Sequence, residues 1–258
     1  METFLICITA FLASLLTFFS GFGLGTILLP VFALFFPVDL AIGLTGIVHL
    51  LNNLFKLILV GKFASKPAIL RFGIPAIIAA FFGAQVLILL TNVKPLTGYT
   101  LFGNEFFITP VNLTIGLLMI LFAIIEVVPK FKKLEFDKNK MIIGGALSGF
   151  FGGLSGHQGA LRSAFLIKFG LSKEAFIATG VVIAVFVDFT RISVYLSKFL
   201  GGNIQSNWMI ITLAALSAFL GAYIGNKLLK KITLNFVQIM VVILISVMGI
   251  LLLMGIIL

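Results

Sequence analysis

The chain has 258 residues, of which 61% are hydrophobic and 10% charged, and its mean hydropathy is +1.26. Soluble domains carry roughly 25% charged residues, so this composition excludes a water-soluble globular protein and indicates a polytopic membrane protein. The net charge of +10 indicates orientation by positive loops rather than nucleic-acid binding, because the lysines lie between apolar segments and are not interleaved with aromatic residues.

Eight apolar segments are long enough to cross a bilayer, which takes roughly 20 residues of helix. They are residues 4–36, 40–60, 69–90, 106–128, 141–167, 175–196, 208–224 and 232–258. The first is interrupted by Gly21, Gly23 and Gly25, and the fifth by seven glycines from Gly144 to Gly159. We interpret both as broken, re-entrant helices, which need protein or water to satisfy the freed backbone groups. Close helix packing through small residues is the alternative.

The two halves of the chain resemble each other. A shift of 134 residues superimposes Gly25 on Gly159, Phe35 on Phe169, Ala41 on Ala175, Thr45 on Thr179, Gly46 on Gly180, Val48 on Val182 and Phe55 on Phe189. A second match sets Ala80, Phe81, Gly83 and Ala84 against Ala218, Phe219, Gly221 and Ala222. These matches predict an internal duplication. The expected division is a first membrane repeat at 1–129, a basic cytoplasmic linker at 130–140 and a second membrane repeat at 141–258.

Basic residues cluster in three loops, which the positive-inside rule places in the cytoplasm. The loops contain Lys62, Lys66 and Arg71; Lys130, Lys132, Lys133, Lys138 and Lys140; and Lys227, Lys230 and Lys231. Three apolar segments separate the second loop from the third, so one of them must enter and return, and segment 141–167 is the candidate. If segment 4–36 does the same from outside, each half has one hairpin and about three crossings. The second half is then inverted relative to the first, and both termini lie outside.

Two features concern processing and redox chemistry. No Lys or Arg precedes Lys56, so the N-terminal segment lacks the basic region of a cleavable signal and we expect the whole chain to be mature. The single cysteine, Cys7, offers neither a disulfide framework nor a thiolate metal cluster.

Ionisable residues inside a membrane are costly and are therefore functional candidates. They are His49, Lys56, Glu126, His157, Arg162, Asp188 and Arg191. Arg162 follows His157 and Gln158 in the broken segment, where free backbone N–H groups and a guanidinium both favour an anion. We therefore predict an anion site made by Arg162, Gln158, His157 and the backbone of Gly156 and Gly159, with protonation of His157 tightening binding at lower pH. The alternative is that Arg162 snorkels to the cytoplasmic face or pairs with Asp188.

Polar residues elsewhere have simpler interpretations. Asp188 and Arg191 lie three residues apart and are expected to form a structural ion pair, with a proton relay as the alternative. His49, Asn52 and Asn53 form a polar stripe that would be costly against lipid, so we expect it to line the translocation pathway. Lys56 and Glu126 are expected to snorkel to the cytoplasmic interface.

Features of catalysis are missing from the sequence. It has no nucleophile elbow, no metal-spaced cluster of His or carboxylates and no phosphate loop. We expect neither an enzyme nor a cofactor, and the absence of a Walker motif argues against ATP-driven pumping by this chain.

Four segments carry a family resemblance: SGFGLGTILLP (20–30), SGFFGGLSGHQGALRSAF (148–165), AAFFGAQV (79–86) and SAFLGAYI (217–224). Their order and duplication resemble the TauE/SafE family of membrane transporters, which includes sulfite exporters. The resemblance spans nearly the whole chain. It implies a permease of the cytoplasmic membrane with duplicated halves, and a substrate such as sulfite, a sulfonate or another sulfur-containing or organic anion.

The expected protein is therefore an all-α secondary transporter that moves a small anion by alternating access. Its site should lie where the two glycine breaks meet, which adds Gly23 and Gly25 to the residues named above. A coupling proton or sodium ion and a homo-oligomer are compatible with this plan. An anion channel with the same basic lining is the rival interpretation.

Overall fold

The computed structural model describes residues 1–18, 24–127, 140–228 and 234–257, and it is almost entirely helical. The first half contains α1 (Glu2–Thr17), α2 (Leu24–Ala33), α3 (Val38–Val60), α4 (Lys66–Thr91), β1 (Thr97–Leu101), β2 (Asn104–Ile108) and α5 (Pro110–Val127). The second half contains α6 (Met141–Ser155), α7 (Gly159–Leu166), α8 (Lys173–Tyr195), α9 (Gly201–Leu228) and α10 (Leu234–Leu253).

Four helices of the described residues are long and apolar enough to cross a membrane: Val38–Phe63, Lys66–Thr91, Lys173–Lys198 and Ile204–Lys227. Shorter apolar helices accompany them at Glu2–Thr17, Leu24–Ala33, Pro110–Ile125, Met141–Ser155 and Val242–Leu253. Large hydrophobic side chains such as Ile58, Phe82 and Phe189 are exposed on the helix surfaces, as expected for surfaces that face lipid. The predicted helical membrane protein agrees with this architecture.

A β-hairpin between α4 and α5 departs from the sequence prediction, which began a span at residue 106. Phe106 instead lies in β2, where its ring stacks on Tyr99 of β1 at 5.5 Å. Helix α5 begins only at Pro110, because the Thr109 hydroxyl accepts the Asn112 amide hydrogen bond at 3.1 Å and caps the helix. Apolar aromatic residues suit a strand as well as a span, so hydropathy alone could not place this boundary.

The interruption predicted for segment 141–167 is present, whereas residues 19–23 of the other predicted interruption lie outside the described residues. Helix α1 ends at Thr17 and α2 begins at Leu24, while Gly21 and Gly23 lie outside the described residues. In the second half, α6 ends at Ser155, and Gly156 adopts φ +83° before α7 begins at Gly159. A left-handed backbone at the helix C-terminus favours glycine, so Gly156 is the residue that ends α6.

The other glycines of α6 serve close packing, which was the alternative interpretation of the cluster. Gly145, Gly149 and Gly153 face the backbone of α4 at Phe72, Ala76 and Ala80, where an added Cβ would overlap a carbonyl oxygen. The residue numbers of the contacting positions increase in the same direction along both helices, so α6 and α4 run parallel. Small residues allow this approach in membrane helices.

Substitution of Gly149 should separate these two helices. We expect Gly149→Val to lower the melting temperature of the detergent-purified protein, because overpacking costs about 1–3 kcal/mol and the obstructing atoms are backbone. Leu147→Val, at an exposed position of the same helix, serves as the control and should melt like the parent. Equal melting of the Gly149 variant and the parent would contradict the close packing of α6 on α4.

Equivalent helices of the two halves make equivalent contacts. Gly83 of α4 faces Phe150 and Leu154 of α6, whereas Gly221 of α9 faces Phe11 and Leu15 of α1. Thus α1 packs in parallel on α9 as α6 packs on α4. The first helix of each half therefore packs against a helix of the other half. Two further pairs are antiparallel: α3 packs on α8, where His49 contacts Asp188 and Gly46 faces Arg191, and α5 packs on α10 through Gly116 and Gly249.

Candidate functional site

The site begins with the polar face of α3. His49, Asn53 and Lys56 are spaced at i, i+4 and i+7, which places them on one side of a helix. All three are buried, with 4%, 5% and 5% of the residue exposed. Since the opposite side of α3 carries exposed Leu54 and Ile58, the polar residues are directed into the protein.

Asp188 of α8 is the centre of a buried ionic cluster. Its Oδ2 lies 2.5 Å from His49 Nδ1, and its Oδ1 accepts a hydrogen bond from Arg191 Nε at 2.9 Å. Gln158 Nε2 donates to the same Oδ1 at 3.4 Å. Asp188 is completely buried and Arg191 is 1% exposed. Burial of these charges is tolerable only because each has a partner of opposite charge or a hydrogen bond.

Gln158 connects this cluster with Arg162. Its Oε1 accepts from Arg162 Nη1 at 3.4 Å, while its backbone carbonyl accepts from the Ser148 hydroxyl at 3.0 Å. The side chains of Arg162, Gln158, Asp188 and His49 therefore form a continuous hydrogen-bonded chain. The break between α6 and α7 places Gln158 where it contacts both Arg162 and Asp188.

A pocket opens beside the cluster. It is bounded by helices α3, α7 and α8, by the C-terminal end of α1 and by the first residue of α2. Its cavity has a volume of about 40 Å³, more than the roughly 10–15 Å³ that one ordered water needs. Its lining is Thr17, Phe18, Leu24, His49, Asn53, Lys56, Arg162, Ser163, Leu166, Phe176, Ile177, Gly180 and Val181. Among the residues that the structure describes, this lining contains two cations, Lys56 and Arg162, and no carboxylate.

The pocket also has hydrogen-bonding capacity that the described residues leave unused. The buried Ser163 hydroxyl has no hydrogen-bond partner among them, although buried polar groups normally have one. Lys56 Nζ lies 5.2 Å from the centre of the Phe18 ring. Gly180 makes room for the guanidinium, since a Cβ there would lie 3.3 Å from Arg162 Nε. An anion with several oxygens could contact the ammonium, the guanidinium and the hydroxyl together.

The start of α2 approaches the break between α6 and α7 at the ionic cluster. A Cβ on Gly25 would lie 3.8 Å from His49 and 4.0 Å from the Gly156 carbonyl oxygen, and one on Gly156 would lie 2.9 Å from Arg191 Nη1. Gly159 is buried at the start of α7. The predicted site residue Gly23 lies outside the described residues, as does the side chain of Glu126.

Some predicted site residues lie next to the pocket and not in its wall. The His157 ring stacks on Phe122 at 5.5 Å, its Nδ1 lies 3.2 Å from the Ser155 hydroxyl, and its Nε2 has no partner among the described residues. Asn52 accepts a hydrogen bond from the Ser14 hydroxyl at 3.0 Å, so it joins α1 to α3. Neither side chain lines the pocket.

Lys56 corrects one sequence expectation. It was expected to snorkel to the interface, but the structure buries it in the pocket wall. The signal was its spacing of seven residues from His49 and three from Asn53, which continues the polar stripe along one helix face. Ser163 also escaped the sequence analysis, because one serine in a helix carries no signal of its own.

Comparison with protein families gives one match, to a model described as "Sulfite exporter TauE/SafE", which covers residues 6–252. Comparisons with curated proteins and with solved structures found no match. The family match spans nearly the whole chain and agrees with the apolar helices that surround the buried cationic pocket. The chain therefore belongs to the TauE/SafE sulfite exporter family and is a multi-pass membrane transporter.

Proposed function

We propose that the protein is a secondary transporter of a small sulfur-containing anion, such as sulfite or an organosulfonate, and that the anion binds between Lys56 and Arg162. One observation carries the proposal: two buried cations face a pocket whose lining, among the described residues, contains no carboxylate. Burial of such charges is costly without an opposite charge. An anionic substrate would supply that charge while it is bound.

The chemistry of the wall favours a compact oxyanion. A guanidinium offers a planar fork that matches two oxygens, an ammonium acts as a point charge, and a serine hydroxyl adds one neutral donor. Leu166, Ile177 and Val181 form part of the same wall. They provide an apolar surface that would accept the carbon of a short sulfonate.

The helix contacts support two inverted repeats, 1–129 and 141–258, joined by the basic linker 130–140. A two-fold axis in the membrane plane would superimpose α1 on α6 and α9 on α4, so the α1–α9 pair maps onto the α6–α4 pair. The same axis would superimpose α3 on α8 and α5 on α10, so each of these pairs maps onto itself. The observed parallel and antiparallel contacts follow this rule. Secondary transporters with such repeats alternate access by moving one group of helices against the other around a central site.

The orientation follows from the basic loops. With Lys62, Lys66 and Arg71 in the cytoplasm, α3 runs inward and α4 runs outward. Contact of the β-hairpin with the C-terminal residues, including the hydrogen bond from the Tyr99 hydroxyl to the Met254 carbonyl, then supports an outside C-terminus. The parallel packing of α1 on α9 supports an outside N-terminus as well. We assign the protein to the cell membrane with both termini outside.

An anion channel remains the rival function, and flux distinguishes the two. A transporter saturates and exchanges labelled anion across the membrane at the turnover rate of its conformational cycle. A channel conducts down the electrochemical gradient without counter-transport or coupling. Proteoliposome uptake that saturates and is accelerated by unlabelled anion on the opposite side supports the transporter.

Binding can be tested on the purified protein in detergent. We expect sulfite and methanesulfonate to raise the melting temperature in a concentration-dependent manner, because a ligand that binds only the folded state stabilises it. Choline chloride at equal ionic strength controls for salt. The variant Lys56→Gln, which removes one cation from the pocket, should shift the half-maximal concentration upward. Absence of any shift by either anion in the parent would refute the anion site.

A further inference from the structure

We propose that His49 is the proton-binding site of the transporter and that its Nε2 takes up a proton together with the anion. This inference rests on the proposed function and identifies its coupling ion. It differs from a pH effect through His157, since His157 stacks on Phe122 and does not line the pocket.

The first step is the tautomer of His49. Nδ1 lies 2.5 Å from Asp188 Oδ2, a separation that requires a proton between the two atoms. Asp188 also accepts from Arg191 and Gln158, so its carboxylate is held in the ionised form that Nδ1–H can bind. Nδ1 is therefore already protonated, which leaves Nε2 as the nitrogen that can gain or lose a proton.

The second step concerns what Nε2 can bind. Asn53 Nδ2 lies 3.1 Å from Nδ1 and 3.3 Å from Nε2. Because Nδ1 already donates to Asp188, the Asn53 amide can donate only to an unprotonated Nε2. An amide rotated by half a turn presents its oxygen to a protonated Nε2 instead. Asn53 can thus stabilise either state of the ring.

The third step is the local charge balance. Four charged groups lie near His49. Asp188 of α8 contacts it, Arg191 of α8 contacts Asp188, and Arg162 of α7 and Lys56 of α3 line the same pocket. Asp188 is already paired with Arg191, so the two pocket cations oppose a further positive charge on the ring. A bound anion reverses this repulsion, because it neutralises Lys56 and Arg162 and can accept a hydrogen bond from Nε2–H.

Proton and anion should therefore bind with positive cooperativity. Linkage makes this effect reciprocal: the anion favours the proton on His49, and the proton favours the anion. When one ligand leaves on the far side, the other is released more readily. The hydrogen-bonded chain from Arg162 through Gln158 and Asp188 to His49 also connects the anion site with the proton site.

The chain contains only two histidines, so NMR of ¹⁵N-histidine-labelled protein tests the proposal directly. Titration of the parent with sulfite at constant pH should convert the His49 Nε2 signal from the unprotonated to the protonated form. The His157 signals should keep their protonation state and serve as the internal control, with assignment from His157→Gln. If sulfite binds and His49 Nε2 stays unprotonated, the proposal is overturned.

A second measurement uses methanesulfonate, whose own charge is constant near neutral pH. Its affinity for the parent and for His157→Gln should rise as pH falls, by up to roughly tenfold per pH unit for one linked proton. In His49→Gln that dependence should disappear. A pH dependence that persists in His49→Gln would move the proton to another group and overturn the assignment. Failure of both sulfite and methanesulfonate to bind the parent at any pH refutes the anion site itself.

Discussion

Arg162→Ala should abolish anion uptake into proteoliposomes, and Arg162→Lys should bind sulfite at least tenfold more weakly than the parent, a loss of about 1.4 kcal/mol. The guanidinium of Arg162 faces the pocket and is held by Gln158 at 3.4 Å. Lysine keeps the charge but loses the planar fork that binds two oxygens at once. Binding is measured by calorimetry, and uptake with labelled sulfite.

Arg71 provides the matched control for these variants. It is exposed on α4, near the predicted cytoplasmic end, so Arg71→Lys should bind and transport like the parent. Normal membrane insertion and an unchanged elution profile separate a binding defect from misfolding. If both Arg162 variants bind and transport sulfite like the parent, Arg162 is a structural residue, and the site would have to be sought around Lys56 and Arg191.

The membrane class and the break between α6 and α7 could be predicted from the sequence, because hydropathy and glycine clusters are local signals. The function of each glycine could not. Gly149 and Gly156 belong to the same glycine cluster. Gly149 nevertheless packs against the backbone of Ala76, whereas the backbone of Gly156 adopts the left-handed conformation that ends α6. Only the position of the neighbouring helix separates these two roles.

The candidate site was predicted in part for a similar reason. The sequence pointed to Arg162, Gln158 and His49 as intramembrane polar residues, and the structure brings these three into one hydrogen-bonded chain. The sequence could not reveal that Asp188, which is 139 positions from His49, connects His49 with Gln158. A contact over that separation depends on the packing of α3 on α8. Lys56 was misassigned because burial depends on neighbours that one helix does not specify.

Loss of the Asp188 charge should destabilise the whole protein. Asp188→Asn preserves shape but leaves Arg191, which is 1% exposed, without its carboxylate at 2.9 Å. Removal of one partner from a buried pair costs about 3–5 kcal/mol, since the other charge remains desolvated. We expect a lower melting temperature and a reduced yield of folded protein, measured in detergent, while Glu105→Gln on the exposed hairpin should behave like the parent.

A double variant identifies the cause of that loss. Asp188→Asn combined with Arg191→Gln removes both charges, so it should be more stable than Asp188→Asn alone, and the two substitutions should be non-additive because the residues share a contact. Their stability is read separately from transport, which should stay impaired in the double variant because His49 has lost its ionised partner. If Asp188→Asn melts at the temperature of the parent, the ion pair with Arg191 is not a structural requirement of the fold.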